Sequence, residues 1–524
     1  MKIDFSRWSL DAASRFAQRE ALVNVERDRR FTHMELHRLT NRIARLIKER
    51  LRLASGDVYL TILDNDNMSL LTFCTLAKAD VKAAWCNFRD TFDEHLWQID
   101  WVEPKVVFLE TALLDKYYDM LRQRGIRIVC MDPLAAPRDG VSCFWDLLEG
   151  VSDAEPHIEL DADEPMLLRF TGGTTGRGKC CMYTLNNWLA LHRYFYSMPD
   201  DMFGYDARHL SITPLSHGSA AYATTLAFKG GCHVTMNASD LRQFCANIQN
   251  ERITSSHLVP TILYRFLEFG LHEQFDLSSL RTILYAAAPM SPAKLALLQE
   301  TFGNIFIQAY GSSEVLAPVA VLSKAEHLCA PGQSNRHLLS STGIALPETE
   351  IVVMDEQGHE LPVGETGELW IRGPGVIKGY YKNPEATAAE FQGGFWKSGD
   401  LGYVDEDRYV YIVDRKKDMI ISGGFNIYAI EVEAALNAHP AVLMSAAVGV
   451  PHAEWGESVH AEVVLKEGHM PDPAEIVAFC KERIGYKAPK TVTIVDQLPM
   501  TVIGKVLRRQ VRDKYWADQQ RKVN

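Results

Sequence analysis

Apolar positions recur with two different periods over the first 160 residues, and the two alternate. Residues 39–51 (LTNRIARLIKERL) and 69–81 (SLLTFCTLAKADV) carry the stripe of an amphipathic helix. The short apolar runs at 57–63 (DVYLTIL), 104–110 (PKVVFLE) and 126–132 (IRIVCMD) read as buried strands. Such alternation predicts an α/β fold with a parallel sheet. The pattern returns at 255–269, as strand, proline and helix, and at 279–302, as strand, loop and helix with Ser291 and Pro292 as cap and first helical position. From about residue 343 the texture changes to short strands split by glycine turns, which predicts an antiparallel β unit. Residues 427–468 then hold one amphipathic helix and two apolar strands. A boundary is placed at the charged run Asp414-Arg415-Lys416-Lys417-Asp418, giving residues 1–414, a connector at 415–418 and a small unit at 419–524.

Composition narrows the function. A chain of 524 residues exceeds what one core usually organises. Its 47% hydrophobic and 23% charged content is that of a soluble globular protein. A net charge of -12 argues against coating nucleic acid. The N-terminal segment mixes charge into every turn and no run is long enough to span a bilayer, so the expected compartment is the cytoplasm, with no membrane insertion. Ten cysteines without a CxxC spacing read as core residues in a reducing compartment. The adjacent pair Cys180 and Cys181 is expected to point to opposite faces of one strand.

The chemistry begins at residues 169–184, RFTGGTTGRGKCCMYT. Gly173 to Cys180 come within one residue of the G-x-x-x-x-G-K-[ST] phosphate loop, with cysteine where a magnesium-binding hydroxyl belongs. A loop of that type passes directly into a helix. Here the residues after Lys179 read as strand, and the cap residues Thr184, Asn186 and Asn187 put the helix start about five residues further on. The loop is therefore expected to join two strands. It still has phosphate chemistry: hydroxyls on Thr171, Thr174 and Thr175, close backbone approach at Gly172, Gly173 and Gly176, and a cation on Lys179. A glycine-rich hairpin with incidental threonines is the alternative.

Five stretches in order carry a family resemblance. T-G-G-T-T-G-R-G-K resembles the T-[SG]-G-[ST]-T-G-x-P-K loop of the adenylate-forming superfamily, which includes acyl-CoA synthetases, peptide-synthetase adenylation domains and luciferases. Tyr310-Gly311-Ser312-Ser313-Glu314, Ser398-Gly399-Asp400, the run 414–418 with Ser422-Gly423-Gly424, and Pro499 to Arg508 match in the same order, across roughly residues 20 to 512. The resemblance implies a large N-terminal domain of α/β layers with a β unit, and a small C-terminal α+β domain on a hinge. It implies a two-step reaction: a carboxylate attacks the ATP α-phosphate to give acyl-adenylate and pyrophosphate, and an acceptor then takes the acyl group.

Residue roles follow from that resemblance. Thr171 to Lys179 would hold the departing phosphates, and Glu314 would be the Mg²⁺-linked carboxylate. Tyr310 would offer its face to adenine, with Gly311 and Ser312 in the same turn, and Ser313 would donate to the α-phosphate. Asp400 suits the ribose hydroxyls and Arg415 would reach the nucleotide. Lys505 would be the catalytic lysine bridging substrate carboxylate and α-phosphate, and Lys417 the hinge. Gly423 and Gly424 would leave room for the pantetheine arm of coenzyme A. His217 would lie beside the acyl carboxylate, and the small-residue loop Ala286, Ala287 and Ala288 would pass close to adenine and the acyl carbonyl.

Three loop positions depart from the common pattern: Gly172 for serine, Gly178 for proline and Cys180 for glycine. The acid-lining segments hold small and apolar residues and no charged group before Glu314, which favours an apolar aliphatic or aromatic acid. The leading expectation is an ATP-dependent carboxylic acid:CoA ligase using Mg²⁺, with a homodimer allowed. A stand-alone enzyme loading a carrier protein is the alternative. A Walker-type ATPase and a non-catalytic binding module are weighed against it: the first needs a helix directly after Lys179, the second no functional Lys505.

Overall fold

The structure is a computed structural model that describes residues 2–516, apart from 172–177, 199, 201, 238–239, 317, 329–333 and 502–503; for 334–336 it describes the backbone alone. Runs of buried β-branched and leucine residues make the strands of two large sheets. The seven-stranded sheet runs in the order Cys180–Thr184, Pro165–Phe170, Lys82–Asn87, Val58–Leu63, Val106–Leu109, Arg127–Cys130, Val141–Cys143. It is parallel except where Cys180–Thr184 turns back on Pro165–Phe170. All six residues of Val58–Leu63 are buried, as a parallel strand covered on both faces requires. The nine-stranded sheet places Thr282–Tyr285 between Ser255–Leu258 and Phe306–Tyr310, and Ser255–Leu258 beside Arg208–Ser211. These central strands are parallel, so their C-terminal ends open on one edge. In sheets of this kind that edge is where ligands bind.

The two sheets share one core, in which Trp188 of helix Leu185–Ser197 stacks on Phe73 at 4.5 Å and meets Trp85 edge-on at 5.9 Å. Cys181 belongs to this core and Cys180 to the core on the other side of the sheet, as strand alternation predicts. One expectation fails. Residues 69–81 do not form one helix; helical turns at Asn65–Met68, Ser69–Leu71 and Phe73–Leu76 are broken at Thr72, whose ψ of -175° is extended. Polar ties override the apolar stripe: Asn65 donates to Thr213 O and Met236 O, Asn67 to Glu110, and Thr75 to Leu70 O.

The predicted antiparallel β unit is present: Glu350–Met354, Gly367–Arg372, Phe395–Val404 and Val410–Arg415 pair in sequence. A further sheet is built on the long hairpin Val442–His452 and Gly456–Leu465, with helix Ala429–Asn437 against it. No helix among the described residues is long and apolar enough to cross a membrane.

The charged run lies between these last two sheets and is not simply a solvated turn. Asp414 is fully buried and accepts from Ala429 N. Arg508, at the start of helix Arg508–Trp516, forks onto Glu433 and lies 3.3 Å from Asp414 and 3.6 Å from Asp418. Burial raises the Asp414 carboxyl to about 6 even though Arg508 pulls it down. Removing one partner of such a buried cluster leaves uncompensated charge, which is far more destabilising than the net worth of the pair. Arg508→Met is therefore expected to destabilise the small unit by about 3 kcal/mol, read as a lower denaturant midpoint in the fluorescence of Trp455 and Trp516; an unchanged midpoint contradicts the hub.

Candidate active site

Strand Pro165–Phe170 ends at the glycine-rich loop and strand Cys180–Thr184 leaves it. Thr171 N donates to Lys179 O at 2.8 Å, and Lys179 N donates to the Thr171 hydroxyl at 3.0 Å, closing the neck. Gly172, Gly173, Thr174, Thr175 and Gly176 lie outside the described residues. Gly178 is required by this neck: a Cβ there would stand 2.0 Å from Thr171 O. The helix begins only at Leu185, capped reciprocally by Thr184 and Asn187, so the strand-to-strand expectation holds and a Walker loop does not.

Lys179 meets the acid machinery at the neck. Its ammonium is ion-paired with Glu390 and lies 4.8 Å over the ring of Tyr380. The Tyr380 hydroxyl sits 3.1 Å from Glu314 Oε1 and 2.5 Å from Glu390 Oε2, and donates to one of them at a time. Ser312 donates to the other oxygen of Glu314, whose side chain is buried. Tyr183 donates to Ser313 O at 2.7 Å, fixing the same turn, which begins at Gly311. Glu390 and Tyr380 were not among the residues that the sequence motifs single out. The tyrosine pair in GYYKNPEATAAEF was a visible aromatic signal, but nothing in it pointed to Glu314.

Asp400 and Arg415 are opposite each other on paired strands, so the two predicted nucleotide residues are brought together by register. Arg415 Nε is 3.3 Å from Asp400 Oδ1, and the Tyr310 hydroxyl donates to Oδ2 at 2.8 Å. Tyr310 thus orients the Asp400 carboxylate. Ala286 and Ala288 flank Ala287, whose φ of +71° is a left-handed conformation that an alanine adopts only at a cost of about 1–2 kcal/mol. Such strain is concentrated at functional loops. His217 is neutral at pH 7, its ring pushed down to about 4 by burial and then by Arg169. Arg169 itself was overlooked in the sequence: it is a buried guanidinium in an apolar strand, 5.2 Å over the Tyr183 ring, with no hydrogen-bond partner on Nε.

Lys505 arrives from the small unit. Its backbone closes a turn, with Thr501 N donating to Lys505 O at 2.7 Å, and the Thr261 hydroxyl donates to Gly504 O at 2.8 Å. Burial lowers the Lys505 ammonium to about 7; Arg415 lowers it further while Asp400 opposes this. The lysine therefore lies in the electrostatic field of the Asp400 and Arg415 pair. Lys417, in the turn after Arg415, is also lowered, by burial and then by Arg415. Gly423 and Gly424 are not brought to this cluster. They form the tip of a small-sheet hairpin, at φ of +59° and +83°, with Gly423 N donating to Trp455 O and open space beside Gly424.

Comparison with known proteins accords with this geometry. The family model described as AMP-binding enzyme matches residues 10–381, and that of the AMP-binding enzyme C-terminal domain matches residues 431–505. The chain belongs to the AMP-binding, adenylate-forming enzyme family. It is 35% identical over 426 residues to the medium/long-chain-fatty-acid–CoA ligase FadD8 of Mycobacterium tuberculosis, covering 79% of this chain and 72% of that protein. It is 37% identical over 373 residues to a feruloyl-CoA synthase of Amycolatopsis sp, covering 70% and 73%. The ATP-bound crystal structure of MatB from Rhodopseudomonas palustris superposes with a TM-score of 0.86 at 27% identity, over 99% of both chains. Within the family the chain falls in the acyl-CoA synthetase branch.

The depressed Lys505 ammonium gives a pH signature. A lysine lowered to about 7 loses its charge as pH rises through that value in the free enzyme. The kcat/KM for pyrophosphate release should therefore fall above pH 7, while kcat, set by a complex whose phosphates restore the proton, should hold to higher pH. Lys505→Arg, which stays charged, should abolish that alkaline fall; an unchanged fall in the variant would assign it to another group.

Proposed function

We propose that the cluster of Thr171, Lys179, Glu314, Asp400, Arg415 and Lys505 activates an apolar aliphatic or aromatic carboxylic acid as its adenylate. The chain is an ATP-dependent acid:CoA ligase of the AMP-forming kind. The observation that supports the residue assignment is the cross-strand pairing of Asp400 with Arg415, together with the Lys505 turn anchored by Thr261. A carboxylate oxygen attacks the α-phosphorus, and the bond to the β-phosphate oxygen breaks. Negative charge then grows on phosphate oxygens, where fixed cations are most effective. Lys505 neutralises the α-phosphate and acid oxygens, and Lys179 exchanges Glu390 for the departing pyrophosphate. Asp400, oriented by Tyr310, accepts from the ribose hydroxyls.

Glu314 suits Mg²⁺ chemically: it is a buried carboxylate held by Ser312 and Tyr380, a hard oxygen donor of the kind that ion prefers. Among the described residues no cluster of three or more ligating side chains competes with it. The ion would share Glu314 with phosphate oxygens and water, and would supply charge neutralisation on the phosphates. In the second half-reaction the coenzyme A sulfur attacks the acyl carbon and AMP leaves. One site must then serve a second nucleophile, and a rotation at residues 415–418 of the unit 419–524 would withdraw Lys505 and admit the Gly423 and Gly424 edge. The run lies between two sheets, and Gly424 has open space beside it, which supports that reading. Small soluble substrates suit a cytoplasmic enzyme, and a homodimer is compatible.

A panel of straight-chain and aromatic acids, assayed for pyrophosphate release with and without free coenzyme A, tests this reading. Pyrophosphate with every active acid, and thioester only when coenzyme A is added, is the expected result. Adenylation without any thioester on free coenzyme A would instead mark a carrier-protein acceptor.

A further inference from the structure

The lysine assigned to phosphate already has an anion. The Lys179 ammonium is ion-paired with Glu390, the last residue of helix Pro384–Glu390. The frame that carries this carboxylate is fixed from both ends: Asn383 caps the helix, and strand pairing starts directly after it at Phe391. Tyr380 is tied to the same helix, its N donating to the Thr387 hydroxyl at 2.9 Å. The pair is nevertheless within reach of water and solutes, since the Lys179 side chain is 36% exposed and that of Glu390 32%. Tyr380, whose ring lies under the ammonium, also lines a cavity of about 460 Å³ with Met182, Thr387 and Phe391.

The Tyr380 hydroxyl links this pair to Glu314. Burial raises the phenol well above its ordinary range, and Glu314 and Glu390 raise it further, so it keeps its hydrogen. That single hydrogen has two acceptors in reach, Glu390 Oε2 at 2.5 Å and Glu314 Oε1 at 3.1 Å. The shorter contact favours Glu390. Ser312 donates to the other oxygen of Glu314, which therefore keeps a donor when the phenol serves Glu390. Glu390 can thus give up Lys179 without being left unpaired, because the phenol and water remain to it. A part-exposed ion pair of this kind changes an equilibrium by only a fewfold, little enough for a polyanion to break.

We infer that Glu390 is a positioning residue that competes with pyrophosphate for Lys179, holding the ammonium in place in the empty site and drawing it back as the product leaves. This rests on the clamp of Lys179 on the departing phosphates proposed above, and says what limits that clamp. ATP binding and pyrophosphate release involve the same two phosphates, so any affinity Lys179 adds for the substrate is added for the product as well. A carboxylate that contests the lysine weakens both and keeps pyrophosphate from staying on the enzyme. AMP lacks those phosphates and is outside the competition.

Equilibrium titrations of the whole chain with inorganic pyrophosphate, ATP and AMP, at one fixed Mg²⁺ concentration, test this without any turnover. Glu390→Gln, which keeps the shape and removes the charge, should bind pyrophosphate and ATP about fivefold tighter and leave AMP within about twofold. Glu390→Ala gives the same comparison should the glutamine variant misfold. In a Lys179→Ala background the gain from Glu390→Gln should shrink to less than about twofold, because the contested cation is gone. Pyrophosphate bound no tighter by Glu390→Gln, equal changes for all three ligands, or a gain that persists without Lys179 would overturn the inference. Lys179→Ala alone separates the two readings. If it leaves pyrophosphate affinity unchanged, the clamp fails and the competition with it; if it weakens pyrophosphate while Glu390→Gln strengthens nothing, the competition alone fails.

Discussion

Taking one ammonium group out of water organises this molecule. Lys505 is contributed by the small unit on a turn that Thr261 anchors to the large one, and its ammonium is lowered by burial and by Arg415 while Asp400 opposes this. A desolvated cation near a guanidinium is unfavourable until an anion arrives, which is the charge balance that the proposed reading asks of acid and nucleotide. The rest of the architecture serves that placement. Thr261 fixes the turn that carries the lysine, and the Arg508 hub ties the same segment to Asp414, Asp418 and Glu433. Because both anchors belong to the junction, the geometry of the lysine and that of the domain boundary are one problem.

The phosphate loop shows how spacing alone can mislead. Gly173 to Cys180 nearly spell a Walker loop, yet the neck between Thr171 and Lys179 is a strand hairpin, and no helix follows until Leu185. A hairpin neck supplies hydroxyls and a lysine without a helix dipole, so other charges must do that work. Lys179 rests on Glu390 and Tyr380, and the same tyrosine reaches Glu314. The metal-linked role that the near-Walker spelling would place at Cys180 is proposed for the Glu314 carboxylate instead, while Cys180 is simply core.

Much of this could be read from the chain. Apolar runs with flanking turn residues located the central strands, and the cap residues Thr184, Asn186 and Asn187 put the helix start about five residues after Lys179, close to where Leu185 begins it. Cross-strand partnership of Asp400 and Arg415 was not legible, although both residues were named, because register depends on a bulge between Leu401 and Gly402. Tyr380, Glu390 and Arg169 escaped notice since their meaning lies in contacts made across more than a hundred residues of chain or in burial. The helix expected over 69–81 failed for a related reason: Asn65 and Asn67 have tertiary partners just before it, and Thr75 donates back to Leu70 O across the break at Thr72.

The central claim is that Lys505 acts in one half-reaction and not in the other. Lys505→Ala, assayed both for acid-dependent pyrophosphate exchange and for thioester formation from supplied acyl-adenylate and coenzyme A, separates the two. Loss of exchange by three orders of magnitude or so, with thioester formation kept within a fewfold, is the predicted result. Equal loss in both assays would contradict it.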